Sequence, residues 1–433
     1  MTTPDSTPRL KRELGVFGAT AMGLGSIVGT GVFVSIGIAA GEAGAWVVAA
    51  IVAAAGVAAC NALSSAQLAA SHAVSGGTYE YGYRYLTPWL GFTAGWMFLC
   101  AKTASAATAA LGFSGYLLRL VGWSDALHVP LAFGAVALFT VLVLTGLRRS
   151  NVLNVVIVTI TLGALVAFVL FGLPDLMRNG AANFAEAAPV ENGGLAGFFY
   201  ATALMFVAFA GYARVATMGE EVRDPRRTIP RAIIILLVIT ALLYVAVAIV
   251  AIGAAGVAAI SAETARTGTP LEAAARALSA PGIDIVIAIG AVTATLGVLL
   301  NLILGLSRVA LAMGRQGDLP PVFARLSRSA TAPSVAVIGV GSVIGALTLI
   351  GSVETAWAFS AFSVLVYYAI TNLAALRLAK ADRLYPPAVA WAGLAACLFL
   401  AFWVPIHIWL IGLGLIAVGL VWHVMARRIW RQR

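Results

Sequence analysis

Residues 23–31 read Gly23-Leu24-Gly25-Ser26-Ile27-Val28-Gly29-Thr30-Gly31, in the middle of an apolar stretch at 15–39. Each glycine inside a helix costs about 1 kcal/mol relative to alanine. In a bilayer core an unpaired backbone N–H or C=O costs several kcal/mol more. A break here persists only where the freed groups meet something else, which predicts a solute site at mid-membrane depth. The N–H groups around Gly29, Thr30 and Gly31 open a new half-helix and offer donors to a carboxylate. The carbonyls that close the first half-helix, around Ser26, Ile27 and Val28, can accept from an ammonium. A carboxylate and an ammonium held this close together describe an α-amino acid.

A weaker break follows in the sixth apolar stretch, Phe206-Val207-Ala208-Phe209-Ala210-Gly211-Tyr212. Carbonyls near Phe206, Val207 and Ala210 add acceptors. Phe209 and Tyr212 flank the break and read either as aromatics that close over a ligand, with Tyr212 as a gate, or as core packing. Lys102 lies halfway along the third stretch, with Ser105 and small alanines beside it. A mid-membrane charge costs at least about 2.5–3.5 kcal/mol and usually marks function. Lys102 reads as a residue that snorkels or meets a backbone carbonyl, as a cavity cation that attracts an acidic side chain, or as a coupling proton's carrier. The charge-dense run from Gly219 to Arg231 holds Glu220 and Glu221. With Arg84 it reads as an inner gate network, or as a solvated loop. Thr293, Thr295 and Asn301 are hard-oxygen candidates for sodium, or helix-packing groups. Gly341 and Gly345 fit a small-residue packing face.

The elements that position these residues are membrane helices. The 433 residues are 61% hydrophobic and 10% charged, with mean hydropathy +0.98, against about a quarter charged in soluble domains. Twelve apolar stretches can each cross a bilayer: 15–39, 44–70, 86–118, 127–147, 151–173, 196–219, 229–257, 283–314, 333–351, 354–379, 386–404 and 406–426. They are too long for barrel strands, which need about 10 residues. With both termini cytoplasmic, 20 of the 27 basic residues fall on the inside and four outside, which fixes orientation in the cytoplasmic membrane. The net charge of +10 is thus a topology signal that needs no nucleic acid, with lipid headgroups as its neighbours. Residues 1–14 are a polar tail with no cleavable signal peptide, and 427–433 a second tail. Loop 174–195 reads as loosely ordered, a helix around 271–278 as lying over an outer mouth, and 318–328 as a segment along the membrane surface.

Several chemistries find no support. Cys60, Cys100 and Cys397 read as small buried hydrophobes. The four histidines form no metal set, no catalytic constellation sits at membrane depth, and no cofactor is called for. The glycine string lacks the strand–turn–helix context of a nucleotide loop. The chain is therefore read as all-α and as no enzyme. A channel would show a repeated filter loop or a polar stripe, and neither is present; a membrane sensor is a more distant alternative.

The first and sixth stretches open two five-span halves, 15–173 and 196–380, which run in opposite directions; 386–426 adds two helices to make one transporter domain. The third and eighth stretches are both unusually long, as matched members would be. Interrupted segments at corresponding positions of inverted halves point to a transporter site.

Four stretches resemble the amino acid–polyamine–organocation (APC) superfamily: Gly25-Ser26-Ile27-Val28-Gly29-Thr30-Gly31-Val32-Phe33, Ser75-Gly76-Gly77-Thr78-Tyr79-Glu80-Tyr81, Gly219 through Arg231, and Ser307-Arg308 through Gly314-Arg315-Gln316-Gly317-Asp318-Leu319-Pro320. The resemblance implies a five-plus-five inverted repeat with broken helices 1 and 6, two extra C-terminal helices, and alternating-access transport of amino acids or amines. Proton-coupled relatives carry a lysine midway along span five, where this chain has Thr161, and several place an acid after the second break, where it has Ala213. No acid lies deep in any predicted span, with Glu42 only at an end, so cationic substrates are disfavoured. The expectation is a carrier for α-amino acids, neutral ones favoured, or alternatively an acidic amino acid carrier or exchanger using Lys102. A coupling proton or sodium ion fits either case, as does a monomer or a homodimer.

Overall fold

The computed structural model describes residues 14–72, 76–145, 151–185, 194–216, 222–326 and 333–430. Among them every regular element is helical. The first stretch is broken, as its glycines require, into α1 (Val16–Ile27), α2 (Thr30–Phe33) and α3 (Ser35–Ala43), followed by α4 (Val47–Ser71). A short α5 (Thr78–Tyr85) precedes α6 (Pro88–Val121), α7 (His128–Leu144) and α8 (Asn151–Ala185). The sixth stretch divides into α9 (Leu195–Phe209), a 3₁₀ turn at Ala210–Tyr212 and α10 (Ala213–Ala216). Then come α11 (Pro225–Thr267), α12 (Pro270–Arg276), α13 (Ile283–Arg315), α14 (Ser334–Thr348), α15 (Val353–Leu376), α16 (Pro387–Phe402) and α17 (Ile406–Trp430).

Ten helical stretches among the described residues are long and apolar enough to cross a membrane, and α14 and α16 are shorter apolar helices. This is a multi-pass membrane protein. Its outer surface carries the apolar side chains that a lipid solvent tolerates, such as Leu170, Phe171, Leu242, Leu398 and Phe402. Inside, α6 packs along α13 and α15, α1 along α11 and α8, and α3 along α9. The two interruptions are thereby enclosed. Gly341 and Gly345 face α7, where added Cβ atoms would meet Thr140 and Phe133.

Three expectations need correction. Loop 174–195 is helical as far as Ala185. The Asp175 carboxylate there accepts from Ser279 N at 2.8 Å and its hydroxyl at 2.6 Å, and Asn183 donates to the Gly253 carbonyl at 2.7 Å. The third and eighth stretches are not uniquely long: α6 has 34 residues and α13 has 33, but α8 has 35 and α11 has 43. α11 gains its length by turning at Gly256, whose φ of +74° suits glycine. Finally, Asp318 does not lie along the membrane surface.

Asp318 is fully buried at the end of α13. Tyr79 and Tyr83, one turn apart on α5, donate to its Oδ2 at 2.7 and 2.6 Å. His423 Nδ1 of α17 stands 2.9 Å from Oδ1, and the Trp422 indole donates to the Asp318 carbonyl at 2.8 Å. Burial, with the carboxylate's proximity, pushes both phenols above their ordinary value, so they stay protonated donors. One carboxylate thus ties α5, α13 and α17 together. Asp318→Ala leaves these buried groups without their acceptor and should cost about 3–5 kcal/mol of stability. Thermal melting of purified protein checks this; an unchanged melting point would mean the three helices hold without it.

The other end is closed by ion pairs. Arg119 of α6 lies 3.3 Å from Asp125 and 3.2 Å from Glu263 of α11, and Arg266 joins both acids. Beneath them the Tyr116 hydroxyl donates to the Phe33 carbonyl at 2.6 Å and accepts from Leu271 N of α12 at 3.3 Å.

Candidate functional site

The first interruption is open backbone. Val28 has φ −78° and ψ 97°, Gly29 has φ −175° and ψ −119°, and α2 starts at Thr30. The N–H groups of Gly29, Thr30 and Gly31 make no backbone hydrogen bond among the described residues. The Thr30 hydroxyl is buried and also without a partner there. The second interruption is milder, a tightening to 3₁₀ with Phe209, Ala210 and Ala213 still in right-handed helical geometry.

The glycines let the two breaks touch. A Cβ on Gly29 would stand 2.5 Å from Val298 Cγ2, and one on Gly31 would stand 2.7 Å from the Tyr244 hydroxyl and 2.9 Å from Ala208 Cβ. A Cβ on Gly211 would overlap the Ser26 carbonyl oxygen. These glycines therefore serve close packing as well as backbone exposure, and a leucine at Gly29 or Gly31 would disturb the packing too.

Two adjoining cavities lie at the breaks. The larger, about 180 Å³, is lined by Ser26, Lys102, Ala210, Gly211 and Asn301, and also by Gly76, Arg214 and Arg308. The smaller, about 40 Å³, is lined by Ile27, Thr30, Gly31, Ser105, Val207 and Trp357 among others. They share Ser26, Lys102, Gly211, Val298 and Leu302. Lys102 is 9% exposed and has no hydrogen-bond or ion-pair partner among the described residues. None of the described lining residues is acidic.

Other candidates sit elsewhere. Val28 and Gly29 do not line either cavity. Phe206 packs edge-on to Tyr368, Phe209 tilts against Tyr244, and Tyr212 tilts against Tyr368, each fully buried. The packing alternative thus describes Phe209 and Tyr212. Two expected acceptors are engaged: the Ile27 carbonyl takes the Tyr244 hydroxyl at 2.9 Å, and the Ala210 carbonyl takes Tyr368 at 3.2 Å. The Tyr244 oxygen also lies 3.4 Å from the Ala208 carbonyl. Thr293 and Thr295 donate to Ile289 and Ala291 of their own helix at 2.7 and 2.6 Å. Only Asn301 of that trio lines a cavity. Arg84 is exposed on α5, its guanidinium 5.7 Å from the Tyr85 ring centroid, and Glu220 and Glu221 lie outside the described residues.

Sequence reasoning missed Trp357 and the cavity position of Arg308. Both come from distant helices; Trp357 sits in no local pattern that marks it, and the stretch that begins Ser307-Arg308 does not say that Arg308 reaches a cavity.

A helical membrane protein with an unpaired, polar-lipped cavity between two interrupted helices belongs to the class of solute carriers. The amino acid permease profile matches residues 18–429, and the chain belongs to that family, within the APC superfamily. It is 39% identical over 428 residues to an uncharacterized transporter of Mycobacterium tuberculosis, covering 99% of this chain and 94% of that one. Two Bacillus subtilis proteins, a methylthioribose transporter and the branched-chain amino acid permease BcaP, are 27% and 28% identical, each over 97% of this chain and 94% of their own.

Proposed function

We propose that this chain is a secondary active carrier that moves α-amino acids, uncharged ones in preference, across the cytoplasmic membrane by alternating access. The observation that carries the reading is the convergence of unpaired groups on one cavity. Thr30 and Gly31 line a cavity that Lys102 also lines, and their N–H groups and the Thr30 hydroxyl have no partner among the described residues. In a bilayer interior such groups are retained only for a ligand that completes them. The carboxylate sits at Thr30 and Gly31, and the ammonium at the Ser26 carbonyl, the acceptor beside Gly211. Absence of an acid in the described lining disfavours lysine- or arginine-like substrates.

The architecture that goes with this reading has twelve spans. Residues 15–173 and 196–380 form two inverted halves, 386–426 two further helices, and both termini are cytoplasmic. On that orientation the part of the cavity lined by Arg308 lies toward the cytoplasm, and the arginine–acid cluster above α12 closes the outer side.

A second reading, an acidic amino acid carrier, is favoured by one observation: Lys102, Arg214 and Arg308 all line the larger cavity. One experiment separates the two. Purified protein is screened by thermal shift against the twenty amino acids and methylthioribose, with and without sodium and at two pH values. Hits are followed by uptake and counterflow in liposomes. Neutral amino acids should give the shift, and Thr30→Val should weaken binding about 5- to 10-fold, the worth of one hydrogen bond. A shift by aspartate and glutamate alone would establish the second reading. No shift by any amino acid, or uptake without saturation and counterflow, would overturn both.

A further inference from the structure

We propose that Trp357 sets the upper size limit of the side chain this protein carries. The inference rests on the substrate reading above and names its specificity determinant. The smaller cavity carries polar residues at Ser26, Thr30, Lys102 and Ser105, and an apolar wall made by Val207, Val298, Leu302 and Trp357. A zwitterion whose carboxylate meets Thr30 and Gly31 turns an apolar side chain toward that wall, because the larger cavity leads to Arg214 and Arg308. The whole smaller cavity is only about 40 Å³, room for about three water-sized groups, and a carboxylate at Thr30 and Gly31 draws on the same space. A methyl or hydroxymethyl side chain fits it, and an aromatic ring does not.

The wall is fixed in place. Trp357 is 3% exposed. Its Nε1 donates to the Leu204 carbonyl at 3.0 Å, one turn before Val207 on α9. Swinging the ring aside would leave a buried N–H without an acceptor. One turn further along α15, the Ser360 and Ser105 hydroxyls are 2.7 Å apart. That bond holds α15 against α6 at the cavity's edge, so the helix bearing the indole does not yield either.

The test uses the full-length chain in liposomes and compares uptake of alanine, leucine and phenylalanine. The wild type should prefer alanine over phenylalanine by about 100-fold or more, since a single misfitting methylene in an apolar pocket is worth about 10- to 200-fold. Trp357→Ala should cut that ratio to below about 10-fold by raising phenylalanine uptake while alanine uptake persists. Trp357→Phe, which keeps an aromatic wall and loses the N–H, should keep most of the preference. If Trp357→Ala fails to assemble, Trp357→Leu replaces it and should shift the limit to leucine. Phenylalanine still excluded by an assembled Ala or Leu variant would overturn the proposal. A wild type that carries phenylalanine as well as alanine would overturn it alone and leave the carrier reading standing. A wild type that carries no amino acid would overturn both.

Discussion

Gly211→Ala should abolish transport and leave the protein inserted and helical. The added Cβ would overlap the Ser26 carbonyl oxygen, and would lie 2.6 Å from Ile27 Cγ1 and 2.7 Å from the Ser26 carbonyl carbon. Two of these three atoms are backbone and cannot rotate away. The two interruptions would have to separate, and Ser26 and Gly211 wall both cavities. A displacement of about 1 Å in a positioned site costs roughly 100-fold in rate. Uptake per reconstituted protein measures it. Gly163→Ala on α8, where nothing lies within 4 Å of the new Cβ, is the matched control and should transport normally. Equal uptake by both variants would show that the breaks do not depend on contact.

Lys102→Met should move stability and transport in opposite directions. A buried ammonium without a partner disfavours the empty protein, on insertion scales by about 2.5–3.5 kcal/mol at the membrane centre. Methionine keeps the length and removes the charge, so the ligand-free protein should melt at a higher temperature. On the proposed function the partner of Lys102 arrives with the ligand, and a hydrogen bond from a charged donor is worth about 1.5–3 kcal/mol. Transport should therefore fall roughly 10- to 100-fold. A variant that melts lower would mark Lys102 as a packing residue whose polar end is satisfied by solvent.

The sequence made the first break legible because several glycines within nine residues contradict a membrane helix. Nothing but a buried interruption reconciles them. The second break was legible only by its place in the second half, and its milder 3₁₀ form follows from having one glycine at its centre. The aromatics beside that glycine left two readings open for a general reason. Phe209 and Tyr212 sit next to the break in the chain, but helical geometry turns them toward Tyr244 and Tyr368. Trp357 was invisible because its role depends on a fold contact with Leu204, more than a hundred residues earlier. Asp318 was misread because a loop carboxylate is ordinarily solvated, and only the assembled fold brings Tyr79, Tyr83 and His423 to it.

The phenol of Tyr244 has a single proton and a choice of carbonyls, Ile27 in one interrupted helix and Ala208 in the other. On the proposed reading, an ammonium that strays from the Ser26 oxygen to the Ile27 oxygen finds that seat already taken. What it gains there is the difference between two hydrogen bonds, and the whole value of one is only about 1 kcal/mol in net terms. Grip of this shallow kind suits a protein that must discharge its cargo on every cycle.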